Sequence, residues 1–244
     1  MKLTVLGRYG PFPSAGGNCS GYLLEGDKTR VLIDCGNGTF SQLQKHINYW
    51  EIDAIILSHL HMDHISDCFI IRYAFQSAMA LGKRETPLDI YTVTQPYDTY
   101  SMLGHKDIVR TKPVNPYDKI QIGEFGFSFF PTAHSKLCCA IKAELHNKVL
   151  VYSADTEYFP ELVDFVRDCD LFICEASFTS QDISNDSSNH MASFQAGQIA
   201  REGQVKRLKL THLHPDKSEE TLLSEAKAEF EEVGLVREGE VIKI

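Results

Sequence analysis

The chain has 244 residues, 43% hydrophobic and 23% charged, enough to bury a full core without disulfide staples. Its formal net charge of −9, with no sustained Lys/Arg run, weighs against a partner such as extended nucleic acid. Cys19, Cys35, Cys68, Cys138, Cys139, Cys169 and Cys174 share no CxxC spacing, so they predict buried small hydrophobes and no disulfide framework.

The chain opens on a strand-like run at 1–6, and no apolar stretch approaches the roughly 18 residues of a membrane span. A soluble, cytoplasmic protein with no membrane association is the expectation. Apolar runs bounded by Gly, Asp or Pro predict buried strands at 3–6, 21–25, 31–34, 54–57 and 90–93. Helical spacing covers 42–50 and 67–80, the second with Phe69, Ile70, Tyr73, Ala74 and Ser77 along one side. In the second half, strands are predicted near 125–130, 137–145, 148–153, 171–174, 206–211 and 240–244. Helices are predicted there near 159–168, 193–203 and 218–233, and 96–116 and 179–189 read as loops. The pattern is α/β. Nothing resembles a repeat or a linker, so residues 1–244 are taken as one domain.

Chemistry concentrates in His59-Leu60-His61-Met62-Asp63-His64, which sets four potential metal ligands in six residues just after an apolar run. A turn leaving a strand can aim His59 and His61 at one ion while Asp63 and His64 face a second. Three more donors stand where strand-like runs end: His134, Asp155 and His212. Alone, either histidine is most simply a hydrogen-bonded side chain, and Asp155 a turn or cap residue. In a layered α/β protein, however, loops at one sheet edge converge, and such residues can meet.

The order HxHxDH, lone His, lone Asp, lone His resembles the metallo-β-lactamase superfamily across nearly the whole chain. The resemblance implies a four-layer αββα sandwich. It also implies that His59, His61 and His134 hold one metal, that Asp63, His64 and His212 hold the other, and that Asp155 bridges them. Zinc is the expected metal, and manganese or iron also suit such N/O donors.

A finer resemblance points to the ribonuclease Z-like branch and its small phosphodiesterase relatives. It rests on Leu6-Gly7 through Pro13 to Gly17-Asn18-Cys19-Ser20, on Leu32-Ile33-Asp34-Cys35-Gly36, and on two later segments. Cys174-Glu175-Ala176-Ser177-Phe178 is similar to the branch's HEATF segment, departing at its first position, and Asn189-His190-Met191-Ala192-Ser193 is similar to its HST segment. By this resemblance His190 is a general acid, Glu175 orients it, and Asp63 joins them as a catalytic candidate. The branch commonly forms homodimers, which makes a homodimer an expected assembly.

Ribonuclease Z carries a long transfer-RNA arm between the lone His and the bridging Asp, whereas here those residues lie only 21 positions apart. Glyoxalase-type thioesterases add a carboxy-terminal helical domain, and only 32 residues follow His212. The expected activity is therefore hydrolysis of a small phosphodiester, a cyclic nucleotide or cyclic ribose phosphate. The attacking water, held between two ions, would have its pKa lowered from 15.7 towards about 7. Thioester or lactone hydrolysis and a metal-bearing sensing module are the alternatives. His214 competes with His212 for the ligand role, His105 could reach a substrate, and His46 and His146 read as surface residues. Asp34 is either a turn residue or a brace behind a ligand histidine. Gly7, Gly16 and Gly17 lack the spacing of a phosphate cradle and read as turn formers.

Overall fold

The computed structural model describes residues 1–183 and 189–244. The first half runs β1 (Lys2–Gly7), β2 (Gly21–Glu25), β3 (Arg30–Ile33), α1 (Thr39–Leu43), β4 (Ala54–Leu57), α2 (Met62–Ile65) and α3 (Cys68–Ala80). It continues through β5 (Leu88–Thr92), α4 (Tyr97–Leu103) and β6 (Val109–Pro113). The second half begins with β7 (Lys119–Ile122), β8 (Phe125–Pro131), β9 (Cys139–Leu145), β10 (Lys148–Tyr152), α5 (Glu161–Val166) and β11 (Leu171–Glu175). It closes with α6 (Ser193–Glu202), β12 (Leu208–Thr211), α7 (Glu219–Glu229), β13 (Val233–Leu235) and β14 (Val241–Lys243).

Two seven-stranded mixed sheets result, ordered β14-β1-β2-β3-β4-β5-β6 and β13-β12-β11-β10-β9-β8-β7. In each, an antiparallel set passes into a parallel one, at β3 in the first sheet and at β10 in the second. Strands in the parallel sets, such as Ala54–Leu57 and Leu171–Glu175, are buried along their whole length, which is why they read as unbroken apolar runs. One apolar cluster fills the space between the sheets, joining Leu23, Leu32 and Ile55 to Phe125, Phe127, Ile141 and Leu171. A second lies between the outer face of the second sheet and α5 to α7, with Val151, Phe172, Leu162, Ile199 and Leu222. This is the αββα sandwich.

Two expectations need correction, and two strands were not foreseen. The helix expected at 42–50 is limited to Thr39–Leu43 and a 3₁₀ turn at Tyr49–Glu51, because Asn48 adopts an extended conformation between them. The stretch 96–116 is not a bare loop: it holds α4 and β6, each burying a single residue, Leu103 and Val109, so neither shows an apolar period. The strands β7 and β13 are short and lie at a sheet edge, and they carry too little buried surface to stand out. Of the loop expected at 179–189, residues 184–188 lie outside the described residues.

Candidate metal centre

Strands β3, β4, β8, β10, β11 and β12 send their carboxyl ends towards one rim, and the chemistry of the chain gathers there. Left-handed backbone occurs at four non-glycine residues around it: Asp34 (φ 54°), Ala154 (φ 53°), Asn189 (φ 59°) and His212 (φ 52°). Such conformations cost on the order of 1 kcal/mol each and persist where surrounding structure holds them.

Among the described residues, two donor clusters share Asp155, and Glu175, His190 and His212 form a third group beside them. His59, His61, His134 and Asp155 make the first; Asp63, His64, Asp155 and His212 make the second. In the first, His61 Nδ1 lies 2.9 Å from His59 Nε2 and 3.1 Å from His134 Nε2. Asp155 Oδ2 stands 3.5 Å from the former ring and 3.9 Å from the latter. In the second, His64 Nε2 lies 3.5 Å from Asp63 Oδ2 and 3.2 Å from Asp155 Oδ1. His212 Nε2 lies 3.2 Å and 3.4 Å from those same two oxygens. A tetrahedral zinc shell with bonds of about 2.0–2.1 Å sets its ligand atoms roughly 3.3 Å apart, so both clusters have the spacing a divalent ion requires. Asp155 turns one oxygen to each.

The unused ring atoms are tied down. His64 Nδ1 bonds Asp34 Oδ2 at 2.7 Å, His134 Nδ1 donates to the Asn189 carbonyl at 2.9 Å, and His59 Nδ1 meets Ser58 Oγ at 3.1 Å. Each bond leaves the opposite nitrogen facing its cluster, the usual way a protein orients a ligand histidine. Asp34 also accepts from Ser58 N, Ser58 Oγ and Tyr152 Oη, so it braces the site and is not a mere turn residue. His212 Nδ1 meets Ser177 Oγ at 2.9 Å, and that hydroxyl donates to Glu175 Oε2 at 3.1 Å. Glu175 is fully buried and accepts from Thr156 N, Met191 N and His190 Nδ1, the last at 3.0 Å. The His190 ring stacks on His212 with centroids 5.1 Å apart.

Electrostatics favour a cation between these groups. Burial, then the neighbouring His64, depresses the His59 pKa, and burial with His134 beside it lowers that of His61 to about 4, so both rings stand neutral and ready to donate lone pairs. Burial opposes ionisation of Asp155, yet His212, His64 and His59 hold its pKa well below the carboxylate range; Asp63 is likewise lowered against its burial by His64 and His212. His64 shows the demand most directly: burial resists its charging, but Asp155, Asp63 and Asp34 together raise its pKa. His64 Nε2 and Asp155 Oδ1 are buried 3.2 Å apart, and neither has a well-formed hydrogen bond among the described residues. Two opposed donor atoms left unpaired in a carboxylate-rich pocket fit a divalent ion.

All the residues singled out from the sequence as ligands or acids meet at this rim. His214 does not: it packs edge-on to Phe12 and accepts from Asp216 N. His105 lies away against Tyr73 and Gln76, and His46 and His146 are exposed. Gly10 escaped notice, although a Cβ there would sit 1.9 Å from His212 Nε2, so only glycine lets the β1–β2 segment pass over that ring. Its neighbourhood at 6–20 was the available signal.

The Beta-lactamase superfamily domain matches residues 29–213. The probable metallo-hydrolase YhfI of Bacillus subtilis (strain 168) is 35% identical over 240 residues, covering 98% of this chain and 98% of that protein. The crystal structure of YhfI, described as a metallo-beta-lactamase fold protein, aligns with a TM-score of 0.95 over 99% of this chain and 98% of its own. Ribonuclease Z of Methanopyrus kandleri is 23% identical over 281 residues, covering 100% of this chain and 98% of that protein. A diphosphatase of the PhnP family shares the fold, with a TM-score of 0.80 at 18% identity over 100% of this chain and 97% of that one. The chain thus belongs to the beta-lactamase superfamily and has the metallo-β-lactamase fold, the fold of its metallo-hydrolases.

Proposed function

We propose that this chain hydrolyses small phosphodiesters, cyclic nucleotides or cyclic ribose phosphates, with two divalent ions of which zinc is the first choice. The observation that carries the reading is that two donor clusters share one carboxylate, Asp155, with a carboxylate-held histidine, His190, stacked beside them. When bound, the ions supply charge stabilisation to the phosphoryl oxygens and a water acidic enough to attack at neutral pH.

The protein's own groups do the rest. Burial works against a charged His190, but Glu175 raises its pKa to about 9, so the ring carries a proton at pH 7. With Nδ1 given to Glu175, its second nitrogen is the one to protonate the departing oxygen. Asp63 and His64 come from the short α2, which holds their donor atoms in register with His212. Asp34, Tyr152 and Ser58 keep the rings from rotating.

Small substrates are favoured because His134 and Asp155 are joined by the compact hairpin β9–β10, leaving no length for an RNA-gripping arm, and because the net charge is −9. The names ribonuclease Z and diphosphatase among its relatives support chemistry at phosphorus. We read residues 1–244 as one domain, since both sheets supply the centre, and as cytoplasmic, in keeping with seven buried free cysteines. No helix among the described residues is long and apolar enough to cross a membrane. A homodimer is the assembly we expect, and sedimentation tests it.

The decisive experiment measures metal content of unchelated protein, then assays an aryl phosphodiester, a cyclic nucleotide, a thioester and a lactone in parallel. About two ions per chain and turnover of the phosphodiesters are expected. Activity confined to the carboxylic substrates overturns the proposal, and full metal with no turnover of any of them points to a sensing role.

A further inference from the structure

Beside the centre, on the outer side of the second sheet, lies a hollow of about 310 Å³ lined by Tyr117, Phe130, Phe159, Glu161 and the backbone stretch 131–133. Its volume lies at the lower end of the roughly 300–1,000 Å³ of small-molecule sites, room for one planar heterocycle. Phe130 and Phe159 lie nearly parallel, their planes 4° apart and centroids 6.2 Å apart, while Tyr117 stands perpendicular to Phe130 with centroids 5.6 Å apart. The rings make a floor and a side wall.

Both walls lead into the donor clusters. The stretch 131–133 runs directly into His134, and Phe159 and Glu161 follow Asp155 by four and six positions. The walls are stitched together there: Thr132 Oγ1 donates to the Asp155 carbonyl at 2.8 Å, and Glu157 N donates to the Ala133 carbonyl at 2.9 Å. Ala133, which lines the hollow, is bonded directly to the candidate ligand His134.

Tyr117 adds an independent sign. It is 69% exposed, and its backbone is left-handed (φ 71°), held so by a 2.8 Å bond from its amide to the Phe129 carbonyl. A bulky ring left mostly in water on a left-handed backbone brings the fold little burial, and is better accounted for by a ligand face.

We propose that this hollow is the base subsite of the phosphodiester substrate and takes guanine ahead of adenine; the proposal rests on the functional reading above. A base stacks on the aromatic floor, as bases do on exposed aromatic platforms. The charged group at the rim is Glu161, an acceptor with two oxygens. Guanine offers N1–H and N2–H₂ side by side to such a carboxylate, whereas adenine sets a single amino group next to an acceptor nitrogen.

Calorimetric titration of the metal-loaded full chain with guanosine monophosphate, adenosine monophosphate and ribose 5-phosphate tests this. Guanosine monophosphate should bind roughly tenfold or more tighter than the base-free sugar phosphate. Tyr117→Ala should remove most of that advantage while Tyr117→Phe keeps it, and Glu161→Gln should narrow the gap between guanine and adenine. Equal binding of guanosine monophosphate and ribose 5-phosphate, or equal weakening of both by Tyr117→Ala, overturns the base subsite. Turnover of cyclic guanosine monophosphate is scored separately. A base advantage without turnover keeps the hollow and sinks the phosphodiesterase reading, and turnover without a base advantage does the reverse.

Discussion

The two donor clusters share Asp155 yet are built differently. Three rings and one carboxylate make the first, whereas the second sets two carboxylates against two rings, with Asp34 behind them. The first is also the more open, since His61 is only half-buried, while His64 and His212 are sealed and the β1–β2 segment lies over His212 at Gly10. The difference teaches that the first cluster is the one reached from solvent. The second would hold an ion by charge and by enclosure, and changes in the packing around it should disturb it most.

The largest effect is expected where the clusters join. Asp155→Ala should empty both and cut turnover at least about 10³-fold, read by elemental analysis and kcat/KM together; retention of both ions would show that the carboxylate is not their shared ligand. Next comes His190→Ala, which should keep both ions yet lose about 10²–10³-fold on a poor leaving group, and much less on an activated aryl ester. Equal losses on the two substrates would remove the acid role.

The same residue should set a pH limb. Because the folded pKa of His190 is raised to about 9, the proton is present at neutral pH and the rate on poor leaving groups should fall as pH climbs through that value. Glu175→Gln should bring this limb down towards the ordinary value near 6.5. The stabilisation from the pair should follow the same sign, full below about 6.5 and lost as pH rises through about 9.

Gly10→Ala separates the clusters most cleanly. Its methyl group would displace His212, so one ion of two should be lost and turnover should fall about 10²-fold, with the first cluster still filled. Smallest of all, Tyr152→Phe removes the hydroxyl that Asp34 accepts and should weaken only the second ion, about tenfold in affinity by competition with a chelator. Equal weakening of both ions would erase the asymmetry.

Some of this was legible before any fold was known. His59, His61, Asp63 and His64 lie within six residues, so one turn after a buried strand suffices to aim them, and the sequence carries that turn entire. Buried parallel strands were legible for a similar reason, being short apolar runs that need no partner to be recognised. The edge elements α4, β6, β7 and β13 were not, because a single buried residue, or none in β13, leaves no period to detect.

By itself, then, the sequence determined the donor types, their order and the α/β alternation, since these depend on neighbours along the chain. Tertiary structure alone decided which donors face each other, that Asp155 splits its oxygens between two clusters, and that Tyr117, Phe130 and Phe159 enclose a hollow beside them. The clearance of His212 over Gly10 belongs to the same class: the two residues lie at opposite ends of the chain, and only strand pairing and close packing bring them into contact.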